Sequence, residues 1–135
     1  MPADSFFDTN VLIYLARGDD RKADRAEQLL AQGGIVSVQV LNEVANVTRG
    51  KLQWSWEDIR RFIGKMLVPL EARPLTIATH EIGLGLAERY QVHLYDAMIM
   101  ASALEAGSEV LYSEDMHHGL VVEGKVRIVN PFLDL

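Results

Sequence analysis

Two patterns of apolar residues alternate along this chain. Short, nearly continuous apolar blocks cover Ser5 to Phe7, Ile35 to Ser37, Glu109 to Tyr112 and Val126 to Val129, and their length and composition predict buried strands. Between them, apolar residues recur at helical spacing. Ala23, Ala26, Leu29 and Leu30 share one face of a helix predicted over Arg21 to Gln32, which Gly33-Gly34 stops. Val40, Val44 and Val47 mark a helix running to about Arg49. Ile59, Phe62, Ile63, Met66 and Leu67 form the stripe of another, opened by Ser55-Trp56-Glu57-Asp58 as a capping box and closed before Pro69. A helical turn or two is expected over Val11 to Ala16, and a weak edge strand over Glu71 to Pro74, where the proline suits an edge. Thr76 is placed to cap a helix reaching about Tyr90. The segment from about Tyr95 to Ala106 is apolar almost all round, which predicts a central buried helix with Gly107 at its C′ position.

Short apolar strands alternating with helices predict an α/β fold in which a parallel sheet has helices on both faces. No repeat, linker or low-complexity stretch interrupts the pattern, so residues 1–135 read as one domain.

Four carboxylates stand out against this apolar frame. Asp8 ends the first strand, Glu43 lies in the early turns of the helix after the second, Asp96 opens the buried helix, and Asp115 closes Val110-Leu111-Tyr112-Ser113-Glu114-Asp115. In open parallel sheets, ligands bind beyond the carboxyl ends of the strands, and all four acids can reach that one rim. Each has a plainer reading. Asp8 before Thr9-Asn10 can be a helix N-cap or Asx-turn, and Asp96 can favour a helix N-terminus through the dipole. Glu43 can be an exposed helix residue and Asp115 a turn residue, with Glu114 an equally good acid. Convergence separates the readings: carboxylates about 4 Å apart repel by roughly 4 kcal/mol at an effective dielectric near 20, and a divalent cation relieves that cost.

Composition narrows the chemistry. With no cysteine, disulfides, thiolate zinc sites and cysteine nucleophiles are excluded. No apolar run approaches the roughly 20 residues of a membrane span, and no basic start with an apolar stretch suggests a signal peptide, so a cytoplasmic protein is expected. A net charge of −6 argues against a nucleic-acid partner, although two bound divalent cations would offset most of it. Basic residues also cluster at Arg17, Arg21, Lys22 and Arg25, at Arg49 and Lys51, and at Arg60, Arg61 and Lys65, either as solvated helix faces or as a binding rim.

An all-oxygen donor set suits Mg2+ or Mn2+. Such ions acidify water and can assist in-line displacement at phosphorus. Thr9, Asn10 and Ser113 are expected to orient water or a phosphate oxygen beside the acids. The histidines fit less well: His117 and His118 are adjacent, so their side chains diverge, and His80 and His93 have no partner at ligand spacing. Trp54 and Trp56 flank a turn and are placed either for the core or for an interface.

Phe7-Asp8-Thr9-Asn10-Val11-Leu12, Leu41-Asn42-Glu43, Tyr95-Asp96-Ala97-Met98-Ile99, Leu111-Tyr112-Ser113-Glu114-Asp115-Met116 and Val129-Asn130-Pro131-Phe132 occur in this order. Together they resemble a PIN-domain protein of the VapC-like toxin group over Phe6 to Phe132. The resemblance implies a parallel sheet in the order 3-2-1-4-5 and a magnesium- or manganese-dependent endoribonuclease with Asp8, Glu43, Asp96 and Asp115 as its acidic quartet. It also implies a homodimer and a cognate antitoxin protein gripping helices between about Val38 and Leu67, with Trp54 and Trp56 as anchors. Two other readings compete. One is a haloacid-dehalogenase-like small-molecule phosphatase, for which Asn10 stands where a second acid is needed. The other is a non-catalytic PIN-fold binding module.

Overall fold

The computed structural model describes residues 4–18 and 20–135; residues 1–3 and 19 of the expected single domain lie outside the described residues. The elements run β1 (Phe6–Phe7), α1 (Thr9–Arg17), α2 (Arg21–Ala31), β2 (Gly34–Ser37), α3 (Val38–Gly50), α4 (Trp56–Met66), β3 (Leu70–Arg73), α5 (Ile77–Tyr90), α6 (Leu94–Glu105), β4 (Val110–Tyr112), β5 (Val121–Val122) and β6 (Val126–Val129). The sheet order is β3-β2-β1-β4-β6-β5. Its five-stranded part is parallel and follows the expected order, with β6 as the fifth strand. Beyond it lies one strand that the hydrophobic pattern did not reveal: β5 pairs antiparallel with β6 at the sheet edge.

Parallel strands need crossover connections, and these are right-handed almost without exception. The chain steps from β1 to β2 to β3 in one direction and returns to β4 on the far side of β1. That reversal puts α1 to α4 on one face and α5 and α6 on the other. Helix α6 packs against β2, β4 and β6, with α5 alongside it. Being covered on both sides, α6 buries Ala97 to Ala103 without a break, which explains its lack of a polar stripe. Phe6, Phe7, Val11, Leu12, Leu111 and Ile128 are fully buried around the first strand.

The capping signals were partly misplaced. Ser55 caps α4, accepting from the Asp58 N–H at 3.1 Å, but Asp58 turns outward to take Arg61 at 3.0 Å. The reciprocal capping box is instead at α5, where Thr76 and Thr79 bond each other's backbone. Gly107 takes φ +73° just past α6, the left-handed C′ geometry expected of it.

Two glycines mark close approaches of different hardness. A Cβ on Gly34 would lie 2.7 Å from the Ser5 carbonyl oxygen and run into the Phe7 ring. A Cβ on Gly83 would lie 2.5 Å from Met98 Sδ, the far end of a flexible side chain. Gly34→Ala is therefore expected to cost about 1–3 kcal/mol through backbone displacement. Gly83→Ala, offset by about 1 kcal/mol of helix propensity, should change stability less. Urea denaturation midpoints of the two variants check the order; a larger loss for Gly83→Ala would contradict it.

Candidate active site: an acidic cleft at the strand ends

Asp8 follows β1 directly. Its N–H donates to the Tyr112 carbonyl at 2.9 Å, extending the parallel ladder one residue, and its extended backbone then hands the chain to α1 as N-cap. The side chain is buried and accepts three hydrogen bonds. Oδ1 accepts from the Thr9 N–H at 2.7 Å, and Oδ2 accepts from Ser113 Oγ at 2.7 Å and Asn10 Nδ2 at 3.0 Å. The cap and site readings of Asp8 are thus compatible: the strand end is also the helix start.

Ser113 and Asn10 stitch this carboxylate to the loop after β4. Ser113 Oγ accepts from the N–H groups of Asp115 and Met116 at 3.3 and 3.2 Å, which curls the loop around it. Asn10 Nδ2 also donates to Asp115 Oδ2 at 3.2 Å, and Asn10 Oδ1 accepts from the Glu114 N–H at 3.0 Å. Glu43 arrives from α3. Thr9 Oγ1 donates to its Oε1, and Gln39 donates to its Oε2 at 3.3 Å while also bonding the Tyr95 carbonyl at 3.1 Å. Gln39 so ties Glu43 to the residue before Asp96. Composition and motif spacing offered no sign of Gln39; its position one helical turn before Glu43 was the only available clue.

Asp8, Thr9, Asn10, Glu43, Asp96 and Asp115 all line one cleft of about 470 Å³, together with Arg17 and Lys51. Ser113 lies beneath it, buried. Glu114 borders the same cleft but differs in environment from Asp115. Its carboxylate takes Tyr14 Oη at 2.6 Å and Lys22 Nζ at 2.5 Å, and Lys22 lies over the Tyr14 and Phe132 rings. Burial pushes Glu114 upward, but Lys22 and Tyr14 together outweigh it and hold the carboxyl below its ordinary value. Glu114 is therefore engaged by a cation, whereas Asp115 shares an amide donor with Asp8.

Electrostatics shows the strain of the arrangement. Burial raises Asp8 from 3.8 to about 6, against the bonds from Ser113 and Thr9, and the nearby Asp96 and Glu43 raise it further. Asp96 is also raised, first by burial, with His93 opposing and Asp115 and Glu43 adding. Among the described residues, no three acids or histidines already close to ligand distances. An oxygen-only donor set, two of whose carboxylates are raised chiefly by burial, fits a hard divalent cation.

A family model described as PIN domain matches residues 5–120. A toxin–antitoxin complex from Klebsiella pneumoniae contains a chain 24% identical, with a TM-score of 0.71, covering 95% of this chain and 98% of that one. VapC20 from Mycobacterium tuberculosis, a sarcin–ricin loop cleaving toxin, is 18% identical with a TM-score of 0.67, covering 82% and 91%. VapBC2 from Rickettsia felis, bound to a DNA fragment from its promoter, is 18% identical with a TM-score of 0.61, covering 82% and 87%. At these identities the likeness is one of fold. No curated protein sequence matches the chain.

The Asp8 shift carries a sign. Between about pH 4 and 6 the folded protein holds a proton that the unfolded chain has released, so stability falls as pH rises through that window and levels off above it. The slope is at most about 1.4 kcal/mol per unit, or ~2–3 kcal/mol in all. In chelator, urea midpoints at pH 4.5, 6 and 7.5 should shift progressively in favour of Asp8→Asn over the parent. A constant difference would remove Asp8 as the source.

Proposed function

The chain belongs to the PIN-domain family, and from that membership and its acidic cleft we propose that it is a metal-dependent endoribonuclease, the toxin of a toxin–antitoxin pair. The observation that carries the reading is the shared cleft. Asp8, Glu43, Asp96 and Asp115, up to 107 positions apart in sequence, line one cavity on the strand-end rim. The toxins and toxin–antitoxin complexes among the similar folds support the biological setting.

In this reading the four carboxylates hold Mg2+ or Mn2+. Such an ion, once bound, supplies an acidified water and positive charge beside phosphorus. The chain's own residues supply position. Ser113, Asn10 and the Thr9 backbone fix Asp8; Thr9 and Gln39 aim Glu43. Arg17 and Lys51 on the cleft wall attract the RNA backbone to an otherwise acidic molecule. Water displaces the 3′ oxygen from phosphorus, leaving 5′-phosphate and 3′-hydroxyl ends.

A cognate antitoxin would engage α3 and α4. Trp56 is 55% exposed with Arg49 stacked 4.8 Å from its ring centre, a presented aromatic. Trp54 instead packs edge-on against Phe62 at 5.3 Å and backs a small hollow with Arg61 and Lys65. Of the two, Trp56 is the better anchor and Trp54 its support. Pairing of two copies, expected from the family resemblance, would pool their basic rims.

End mapping of RNA cut by the purified protein tests the reading. Cleavage should require Mg2+ or Mn2+, vanish in chelator and be lost in Asp8→Asn and Asp96→Asn. Thr9→Val should reduce it by about 10–100-fold through the misplaced Glu43. Ends bearing 2′,3′-cyclic phosphate, or full activity of Asp8→Asn, would sink the mechanism. Trp56→Ala should weaken neutralisation by the antitoxin while RNA cleavage by the free protein persists.

A further inference from the structure

Behind the acids lies a second cavity of about 510 Å³. It shares Asp96 and Asp115 with the acidic cleft, so these two side chains form the wall between the cavities. The composition differs sharply across that wall. The floor is apolar, with Met100 and Met116 buried and Val92 and Leu120 half-buried. The rim carries the exposed imidazoles of His93 and His117. His93 holds the N-cap position of α6, yet its side chain makes no cap hydrogen bond. The neighbouring His118 is committed elsewhere, accepting the Asn130 N–H through Nδ1 at 2.9 Å. The adjacent histidines thus divide: His118 braces the loop, and His117 faces the cavity.

We infer that this cavity receives one nucleobase of single-stranded RNA, the base next to the scissile phosphate, against His93 and His117. The inference rests on the ribonuclease reading above and adds where sequence preference would arise. Three observations carry it. Continuity is the first: an occupant touching Asp96 and Asp115 leads directly into the cleft where the phosphate would lie beside Arg17 and Lys51. Charge is the second. Among the described residues no lysine or arginine lines the cavity, so it offers a phosphate no cationic partner, whereas a neutral heterocycle needs none. Surface chemistry is the third. Polarisable thioethers below and imidazoles at the rim suit a flat ring with a polar edge, and single-stranded RNA is read by splaying bases onto such side chains. The volume lies within the roughly 300–1,000 Å³ of small-ligand pockets.

Two measurements on the intact protein test this. In the first, methyl and imidazole NMR signals are followed in chelator as each of the four ribonucleosides, and separately inorganic phosphate, is added. Shifts confined to Met100, Met116, His93 and His117, caused by a nucleoside and absent with phosphate, are expected. No shifts, or equal shifts with phosphate, would overturn the inference. In the second, cleavage of a randomised RNA pool is sequenced for the parent, His117→Ala and the cavity-filling Leu120→Trp. Both variants should lose preference at one nucleotide beside the cut and show KM raised by about tenfold, the scale of one lost base-stacking contact. Unchanged preference in both, with cleavage intact, would overturn the base pocket and leave the ribonuclease reading standing. If the protein cuts no RNA, that reading falls, and the nucleoside titration alone decides the pocket.

Discussion

One buried hydrogen bond organises the working end of the molecule: Ser113 Oγ to Asp8 Oδ2, at 2.7 Å, across the C-terminal ends of adjacent parallel strands. A carboxylate inside a core is costly unless its oxygens find donors. Here those donors come from the first turn of α1 and from the loop after β4, so satisfying one charge fixes both segments. The loop's curl then follows, because Ser113 accepts two backbone N–H groups while it donates to Asp8. Desolvation still dominates, which is why Asp8 stays near 6 despite its donors. The donors offset only part of the cost of burying Asp8, and a cation would offset the rest.

Much of this was legible in the chain because the relevant signals are local. Phe6-Phe7-Asp8 reads as strand then cap, and the all-round apolar run from Ala97 to Ala103 reads as a covered helix; both depend on near neighbours. What escaped notice depends on partners remote in sequence or on weak turn chemistry. Strand β5 is two residues long, too short for periodicity. It joins β6 through Glu123-Gly124, both with positive φ, closed by Lys125 N–H to the Val122 carbonyl at 2.9 Å. A hairpin turn of that kind is usually announced by Asn-Gly or Asp-Gly, and a glutamate there hides it. Residue chemistry alone likewise left Glu114 and Asp115 equivalent, and only the family resemblance favoured Asp115. Their environments differ because Lys22, 92 positions away, is brought to Glu114 by α2.

That same ion pair bears on the tension between an acidic chain and the anionic substrate proposed for it. The basic residues counted along the sequence are not equivalent once folded. Lys22 neutralises Glu114, Arg25 pairs with Asp134 at 3.0 Å, and Arg61 pairs with Glu57 and Asp58 on its own helix. Arg17 and Lys51, by contrast, line the acidic cleft. Net charge averages over these distinctions, but the cleft is itself rich in acids, so Arg17 and Lys51 would draw in a phosphate only with a bound cation offsetting those carboxylates.

The wall formed by Asp96 and Asp115 gives the two cavities opposite tasks. On one side the acids join Asp8 and Glu43, and in the proposed function the four would hold a cation. On the other side they border methionines and imidazoles, and among the described residues no lysine or arginine lines that side to hold a second phosphate. A polynucleotide alternates anionic linkages with neutral rings, so under the proposed reading adjacent compartments of this kind would set its register: one phosphate at the acids, one ring behind them. The register depends on α6, whose first turn carries Asp96 and whose buried length also supplies Met100 to the floor. A single helix covered on both sides would therefore hold the proposed reacting centre and its neighbouring base in fixed relation, which a surface loop could not.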